Sequence, residues 1–276
     1  GNTVIGYTAG KLLAGASYNT IIGREAMLVA DGTESSNVAI GQSSMGGANN
    51  NSVDGNVAVG RNSMVGGTGA LINNIAIGYF AMDGTGAIDG QDNIFMGANA
   101  GGGTWATAAS NYNIGIGTGA MDAAMNGALN NVALGHLALS AVTTADSNTA
   151  IGYVALEDAT TGGYNVAVGS EAGRNLTTGA ENVLLGQSAG AQHTVTSYII
   201  AIGGGAGNTT MATGANGTIA IGHTALMRGV LGAGPSTAVG YLAGQYATGS
   251  YNTFLGSNAG KGGTTSAPFS SGENNT

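Results

Sequence analysis

A short apolar segment ending in glycine recurs along the whole chain. Fifteen times, three apolar or β-branched residues precede a glycine, and the residue before them is asparagine in twelve cases, as in Asn37–Gly41 (NVAIG) and Asn165–Gly169 (NVAVG). The closing glycines run from Gly6 to Gly256 and lie 16 to 20 residues apart. Such a fixed period indicates a repeat architecture, with one structural unit per repeat.

Each position of the motif has its own chemistry. The residue three before the glycine is Val, Ile or Thr in all fifteen repeats, and the residue one before it is always Ile, Val, Leu or Met. The residue between them is alanine nine times. Three residues after the glycine, Ala occurs thirteen times and Ser twice. β-Branched side chains favour strands, and the intervening segments, rich in Thr, Gly, Asn and Ser, are typical of turns.

These features predict an all-β protein with a repetitive parallel β-solenoid, or β-roll, of about 15 coils of roughly 18 residues. A strand of this length cannot bury a core alone, but stacked strands pair with neighbours above and below. We therefore expect a single solenoid domain over residues 1–276. Stacked asparagines are expected to form a ladder of amide hydrogen bonds along the axis.

Alternation along a strand puts the β-branched and aliphatic positions on one face, and Asn and Ala on the other. The first face is expected to be the core and both faces to be buried. The alanine face would then pack against other chains, which predicts a homotrimer, with a dimer or a lateral sheet as alternatives. Ala150→Glu is expected to block this assembly. The predicted assembly interface comprises Ala39, Ala58, Ala76, Ala133, Ala150, Ala167, Ala201, Ala220 and Ala238.

Composition excludes several classes of protein. The chain has 53 glycines but only two prolines, which excludes collagen, and its 43% hydrophobic residues argue against disorder. It has no cysteine, so disulfides and thiolate metal sites are excluded. A net charge of −8 with six Lys and Arg argues against nucleic-acid binding. No apolar run is long enough to span a bilayer, so membrane insertion is not expected.

The motif Asn-Val-Ala-Ile-Gly-x-x-Ala resembles the head repeat of YadA-type trimeric autotransporter adhesins. It is also similar to related repeats in phage tail fibres and other surface fibres. The resemblance covers essentially residues 1–276, although the period here is longer than in the adhesin repeat. It implies a trimer of left-handed parallel β-rolls, rigid and elongated, with an adhesive or receptor-binding function.

Few residues suggest catalysis or cofactor binding. His136 and His223 occupy the same motif position five repeats apart, and His193 lies between motifs, so all three are expected to be exposed loop residues without a shared metal. Five methionines, in one column four residues after the glycine, are expected to fill the core. No triad or phosphate-binding pattern occurs. We expect no catalytic residue, metal site or cofactor.

Aromatic residues are the candidate ligand contacts. Trp105 is the sole tryptophan and lies in the longest spacing of the repeat. On an outer loop it could stack on a sugar ring; alternatively it folds over its own repeat. The tyrosines directly after the motif glycine are expected to form a surface column. The predicted surface contacts are Trp105, Tyr79, Tyr153 and Tyr241.

The sequence therefore favours a non-enzymatic structural fibre segment, the shaft or receptor-binding region of an adhesin or phage tail fibre, forming a rigid trimeric rod. It is expected to be part of a longer fibre and to lie outside the cell, on a cell surface or on a virion, where a surface glycan or protein is a candidate receptor. The alternative is an extracellular filament subunit that polymerises end to end without a specific ligand.

Overall fold

A computed structural model shows an all-β parallel β-solenoid with no helix in the described residues. It describes residues 1–30, 33–48, 52–105, 107–209, 215–228 and 234–262. The chain forms two compact units, Gly1–Asp146 and Ser147–Thr276. Each predicted motif forms one three-residue strand, so the position of every main strand was predicted correctly.

In the first unit, eight main strands pair in parallel in the order β1-β2-β3-β5-β7-β9-β10-β11 and close seven turns. Their register aligns equivalent motif positions, for example Ala39 with Ala58 and Ala58 with Ala76. The strands are β1 Thr3–Ile5, β2 Thr20–Ile22, β3 Val38–Ile40, β5 Val57–Val59, β7 Ile75–Ile77, β9 Ile94–Met96, β10 Ile114–Ile116 and β11 Val132–Leu134.

Some coils of the first unit carry a second short strand. β4 Val53–Asp54, β6 Leu71–Ile72 and β8 Gly90–Gln91 form a parallel three-stranded sheet, separate from the main one. Each precedes a main strand of the same coil. This second sheet forms another side of the coil and buries Val53 and Leu71.

In the second unit, seven main strands pair in parallel in chain order from β12 to β18 and close six turns. The two units therefore contain about thirteen complete turns, slightly fewer than the fifteen coils predicted. The strands are β12 Thr149–Ile151, β13 Val166–Val168, β14 Val183–Leu185, β15 Ile200–Ile202, β16 Ile219–Ile221, β17 Thr237–Val239 and β18 Thr253–Leu255.

The prediction of which strand face forms the core was wrong. The central residue of nearly every main strand is fully buried, whereas its two neighbours are partly or well exposed. The alanine positions therefore face the inside of the coil, and the β-branched and aliphatic positions face outward. A coil of about 18 residues encloses little space, so small side chains fit where two columns of larger ones would not.

Methionine and leucine complete this narrow interior. Met27, Met45, Met64, Met82 and Met121 are fully buried, which confirms the prediction that this column fills the core. In four of the five coils whose central strand residue is larger than alanine, glycine takes this position: a Cβ added to Gly101 would lie 2.6 Å from the Phe95 ring. In eleven of the fifteen coils a large residue in one column is thus paired with a small one in the other, which keeps the interior filled.

The predicted asparagine ladder is confirmed. Asn56 is buried, and its backbone N–H and side-chain Nδ2 both donate to Oδ1 of Asn37, at 2.9 and 3.1 Å. Its Nδ2 also donates to the Leu71 carbonyl at 2.6 Å. The same pattern repeats through the first unit as far as Asn131 and in the second unit from Asn148 to Asn182. Each buried amide is therefore hydrogen-bonded on both sides, which removes the penalty of its burial.

The motif glycines form the tight corner at the end of each strand. Gly152 has φ +141°, and an added Cβ would lie 2.4 Å from the carbonyl oxygen of Gly169 in the next coil. Only glycine combines this backbone conformation with such close stacking. The motif therefore ends in glycine because the coils are in backbone contact there.

Candidate functional site

The largest exposed apolar surface follows the outward side of the main strands. We call this surface the outer wall of each unit. Its two central columns are the residues three before and one before the motif glycine. Its two margins are the residues five before and one after that glycine. Eighteen large hydrophobic residues are well exposed among the described residues, and fifteen belong to the outer wall. These are Ile5, Tyr7, Tyr18, Tyr79, Met96, Tyr112, Leu134, Tyr153, Tyr164, Val166, Val168, Tyr198, Tyr241, Tyr251 and Leu255.

The centre of the outer wall has a uniform chemical character. Its two central columns contain only Val, Ile, Thr, Leu and Met, and tyrosines recur at both margins. Exposed apolar patches on a protein surface commonly mark interaction sites. The outer wall is therefore the strongest candidate for an interface.

The predicted alanine interface does not lie on this surface. All nine alanines are completely buried inside the coil of a single chain, so they cannot contact another chain in this structure. Their small size fits the narrow interior and does not indicate a close approach between chains. The nine residues are Ala39, Ala58, Ala76, Ala133, Ala150, Ala167, Ala201, Ala220 and Ala238.

Trp105 is also an interior residue, so its prediction as a surface contact was wrong. It is 3% exposed, stacks edge-on with Phe95 at 6.4 Å between ring centroids, and its Nε1 donates to the Gly101 carbonyl at 3.4 Å. Gly90 lies against the ring: a Cβ there would be 2.9 Å from it. The tryptophan therefore folds over its own coil, which was the alternative interpretation.

Tyr79, Tyr153 and Tyr241 do form a surface column, with 46 to 55% of each residue exposed. The Arg61 guanidinium lies 5.6 Å from the centre of the Tyr79 ring. The structure places them on the outer wall, where they are accessible to another protein or to a ligand.

The histidines differ in environment. His136 and His223 are exposed, as predicted, but His193 is almost completely buried. Its Nδ1 hydrogen-bonds with Oγ1 of Thr196 at 3.0 Å, and its Nε2 has no partner. Burial lowers the pKa of His193 to about 4, since the charged form would lose its hydration. The imidazole lies beside Gly207, at a motif position where other coils have Met or Leu, and it occupies the space that such a side chain would fill.

We expect this histidine to make the second unit sensitive to acid. Its pKa in the folded chain lies below the unfolded value of about 6.5, so its contribution is fully present above pH 6.5 and is lost as the pH falls towards 4. The shift corresponds to about 3 kcal/mol. Thermal melts from pH 7.5 to 4.5 should show a steeper loss for the natural chain than for His193→Leu. His136→Gln, at an exposed histidine, should keep the natural slope, and an equal slope in all three would contradict the assignment.

Two carboxyl groups in the first unit were not singled out by the sequence. Burial raises the pKa of Asp83 to about 6, and the charge of Asp122 adds to this effect against an opposing backbone hydrogen bond. Burial also raises the pKa of Asp122. Asp83 borders a groove of about 450 Å³, which is also lined by Glu25, Ser43 and Phe80. The two acids occupy the same motif position two coils apart, with Gly102 at that position in the coil between them, and nothing in the sequence indicates their burial.

The described residues contain no group of three or more His, Asp or Glu residues that could hold a metal ion, and no helix long and apolar enough to cross a membrane. Comparison with known proteins gives no matching protein-family model, no matching curated protein and no matching solved structure.

Proposed function

We propose that this chain is a non-enzymatic structural fibre segment that associates laterally into a homotrimer, with the outer walls of the three copies packed around a common axis. In this proposal the solenoid supplies stiffness, and the corners away from the outer wall stay open to solvent. A location outside the cell or on a virion suits a fibre of this kind. The observation that carries the proposal is the exposed apolar outer wall.

The outer wall suits burial more than solvation. Val166 and Val168 in β13 are 37 and 38% exposed, and the equivalent residues of other coils are partly exposed. Completely burying a valine or leucine side chain contributes about 1.5 to 3 kcal/mol. Ten of the fifteen coils offer two aliphatic residues and the other five offer one beside a threonine, so a small gain per coil is multiplied along the wall. No charged residue in its two central columns would be desolvated by this contact.

A second copy of the same chain is the partner that fits this surface best. The wall repeats the same chemistry at the spacing of stacked parallel strands, about 4.8 Å per coil. Another copy presents the same repeat at the same spacing, so its side chains meet equivalent neighbours in every coil. In a closed ring of identical chains, the outer wall of every chain is also covered by its neighbours.

Charges on the outer wall test this proposal. We expect the double variant Val166→Glu with Val168→Glu to remain folded, because both residues are already partly exposed in one chain. It should fail to associate, since assembly would bury unpaired carboxylates at a cost of several kcal/mol each. Light scattering should give three chain masses for the natural protein and one for the variant.

The control places the same charges elsewhere. Thr161 and Thr178 are exposed in loops of the same region, so Thr161→Glu with Thr178→Glu should leave the mass at three chains. A natural protein that is monomeric at every concentration, or an outer-wall variant that still forms trimers, would refute the proposal. Threads of indefinite length would instead favour the end-to-end filament.

A further inference from the structure

The two margins of the outer wall carry side chains of complementary size. In the second unit, from β12 to β18, the residues directly after the motif glycine are Tyr, Ser, Gln, Gly, His, Tyr and Ser. The residues five before the glycine in the same coils are Ser, Tyr, Glu, Tyr, Gly, Pro and Tyr. In six of these seven coils, an aromatic ring at one margin therefore accompanies Gly, Ser or Pro at the other, as Tyr153 accompanies Ser147 and Tyr198 accompanies Gly204.

Packing within one chain does not account for this match. The two margins lie on opposite sides of the strand, and the His223 ring stacks along its own margin on Tyr241 of the next coil, with the ring centres 5.8 Å apart. The five margin tyrosines of the second unit remain 54 to 65% exposed. Gly204 is not required by its own chain either, because it has no positive φ and an added Cβ would approach nothing closer than 3.4 Å. The sizes are therefore matched to a contact that one chain does not make.

Closed cyclic symmetry brings the two margins together between chains. Rotation about an axis parallel to the stack of coils includes no shift along that axis, so each coil meets the same coil of the next copy. The strand of every copy crosses its wall in the same rotational sense. The margin after the glycine in one copy therefore faces the margin five before the glycine in its neighbour.

We propose that each margin tyrosine of one copy packs over the small margin residue of the same coil in the neighbouring copy, which holds the copies parallel and in register. This inference rests on the homotrimer proposed above and specifies which residues pair across its interface. Tyrosine suits such a contact because its ring buries a large apolar area while its hydroxyl can stay in contact with water.

The one coil of the second unit without an aromatic margin is matched by polarity. Its margins are Glu181 and Gln187, and Glu181 is the only charged residue at either margin of this unit. Across the interface the Gln187 amide can donate a hydrogen bond to the Glu181 carboxylate of the neighbouring copy. The single carboxylate thus lies opposite a donor.

The first unit follows the same rule for tyrosine. Nine of the ten tyrosines of the chain lie at a margin, and no coil has a tyrosine at both margins. One coil of the first unit pairs two long side chains, Tyr18 and Arg24. A guanidinium stacked on a tyrosine ring is itself a favourable contact, so this pair does not need a small partner.

A size swap within one coil tests the pairing. Gly204→Tyr places a tyrosine at both margins of the β15 coil, opposite Tyr198 of the neighbouring copy. It should raise the concentration at which the trimer dissociates at least about tenfold, because two rings cannot share the space of one. Adding Tyr198→Gly moves the ring from one margin to the other and should restore the dissociation of the natural protein. A single chain accommodates both changes, since Gly204 has room for a side chain and the φ of Tyr198, +61°, suits glycine.

The control places the second change in another coil. Gly204→Tyr with Tyr164→Gly also removes one tyrosine from the same margin, but from the β13 coil, and should dissociate at least as readily as Gly204→Tyr alone. Analytical ultracentrifugation over a concentration series measures the dissociation, after circular dichroism confirms folding. A natural protein that stays monomeric would refute the trimer and this pairing together. A natural trimer that Gly204→Tyr does not weaken, or that Tyr164→Gly rescues as well as Tyr198→Gly does, would overturn the pairing alone.

Discussion

Gly152→Ala should strongly destabilise the second unit, although it adds only one methyl group. Its φ of +141° is strained for any residue with a Cβ, and the new carbon would lie 2.4 Å from the Gly169 carbonyl oxygen and 2.6 Å from the carbonyl carbon. Neither contact can be relieved by turning a side chain, because both partners are backbone. The strands must separate at this corner, and we expect a loss of at least about 4 kcal/mol of unfolding free energy.

Denaturant unfolding followed by circular dichroism measures this loss. Gly204→Ala is the matched control, since its backbone is unstrained and its nearest contact is an ordinary 3.4 Å. The control should change stability by no more than about 0.5 kcal/mol. If Gly152→Ala were as stable as this control, the close stacking of the corner glycines would be wrong.

Asn74→Asp should be nearly as damaging in the first unit, although it changes a single atom. The Nδ2 of Asn74 donates to Asn56 Oδ1 at 3.1 Å and to the Gly90 carbonyl at 2.7 Å, and its Oδ1 accepts from the backbone N–H of Asn93 at 3.0 Å. A carboxylate would place a second acceptor against two acceptors in a buried site. We expect a loss of about 3 to 5 kcal/mol at neutral pH.

The pH dependence of this variant identifies the cause. Burial against two oxygens would raise the folded-state pKa of the new carboxyl group, so stability should recover as the pH falls through that pKa and the group becomes a donor. Asn130→Asp, at an exposed position of the same unit, should show neither the loss nor the recovery. A loss that does not depend on pH would mean that the missing amide donor is not its cause, and no loss at all would mean that the ladder does not require this donor.

The sequence was sufficient for the strands but not for their orientation. The repeat predicted each main strand, the parallel register, the asparagine ladder and the methionine column. Alternation established that Asn165 and Ala167 share one face while Val166 and Val168 share the other. It did not establish which face is inside, because hydrophobicity favours burying the valines and coil size favours burying the alanine. The narrow coil leaves room only for alanine inside. The period of about 18 residues does not predict this by itself, because it does not give the cross-section of the coil.

The candidate sites were harder to predict for the same reason. The tyrosine column was predicted because it depends only on motif position. Trp105 and His193 lie between motifs, where loop length varies, and each is buried over a glycine, Gly90 or Gly207, that comes close only in the folded coil.

Thiol accessibility at two adjacent positions of β13 shows which side chains face the inside of the coil and which face outward, since the natural chain contains no cysteine. The single variants Ala167→Cys and Val168→Cys would be treated with a maleimide, with and without denaturant, after circular dichroism confirms folding. The outward orientation of Val168 predicts that the thiol of Val168→Cys reacts in dilute native protein and becomes protected at concentrations where copies associate. The thiol of Ala167→Cys should react only on denaturation. A native Ala167→Cys variant that reacts, with a Val168→Cys variant that stays protected even as a monomer, would contradict the inward orientation of the alanines.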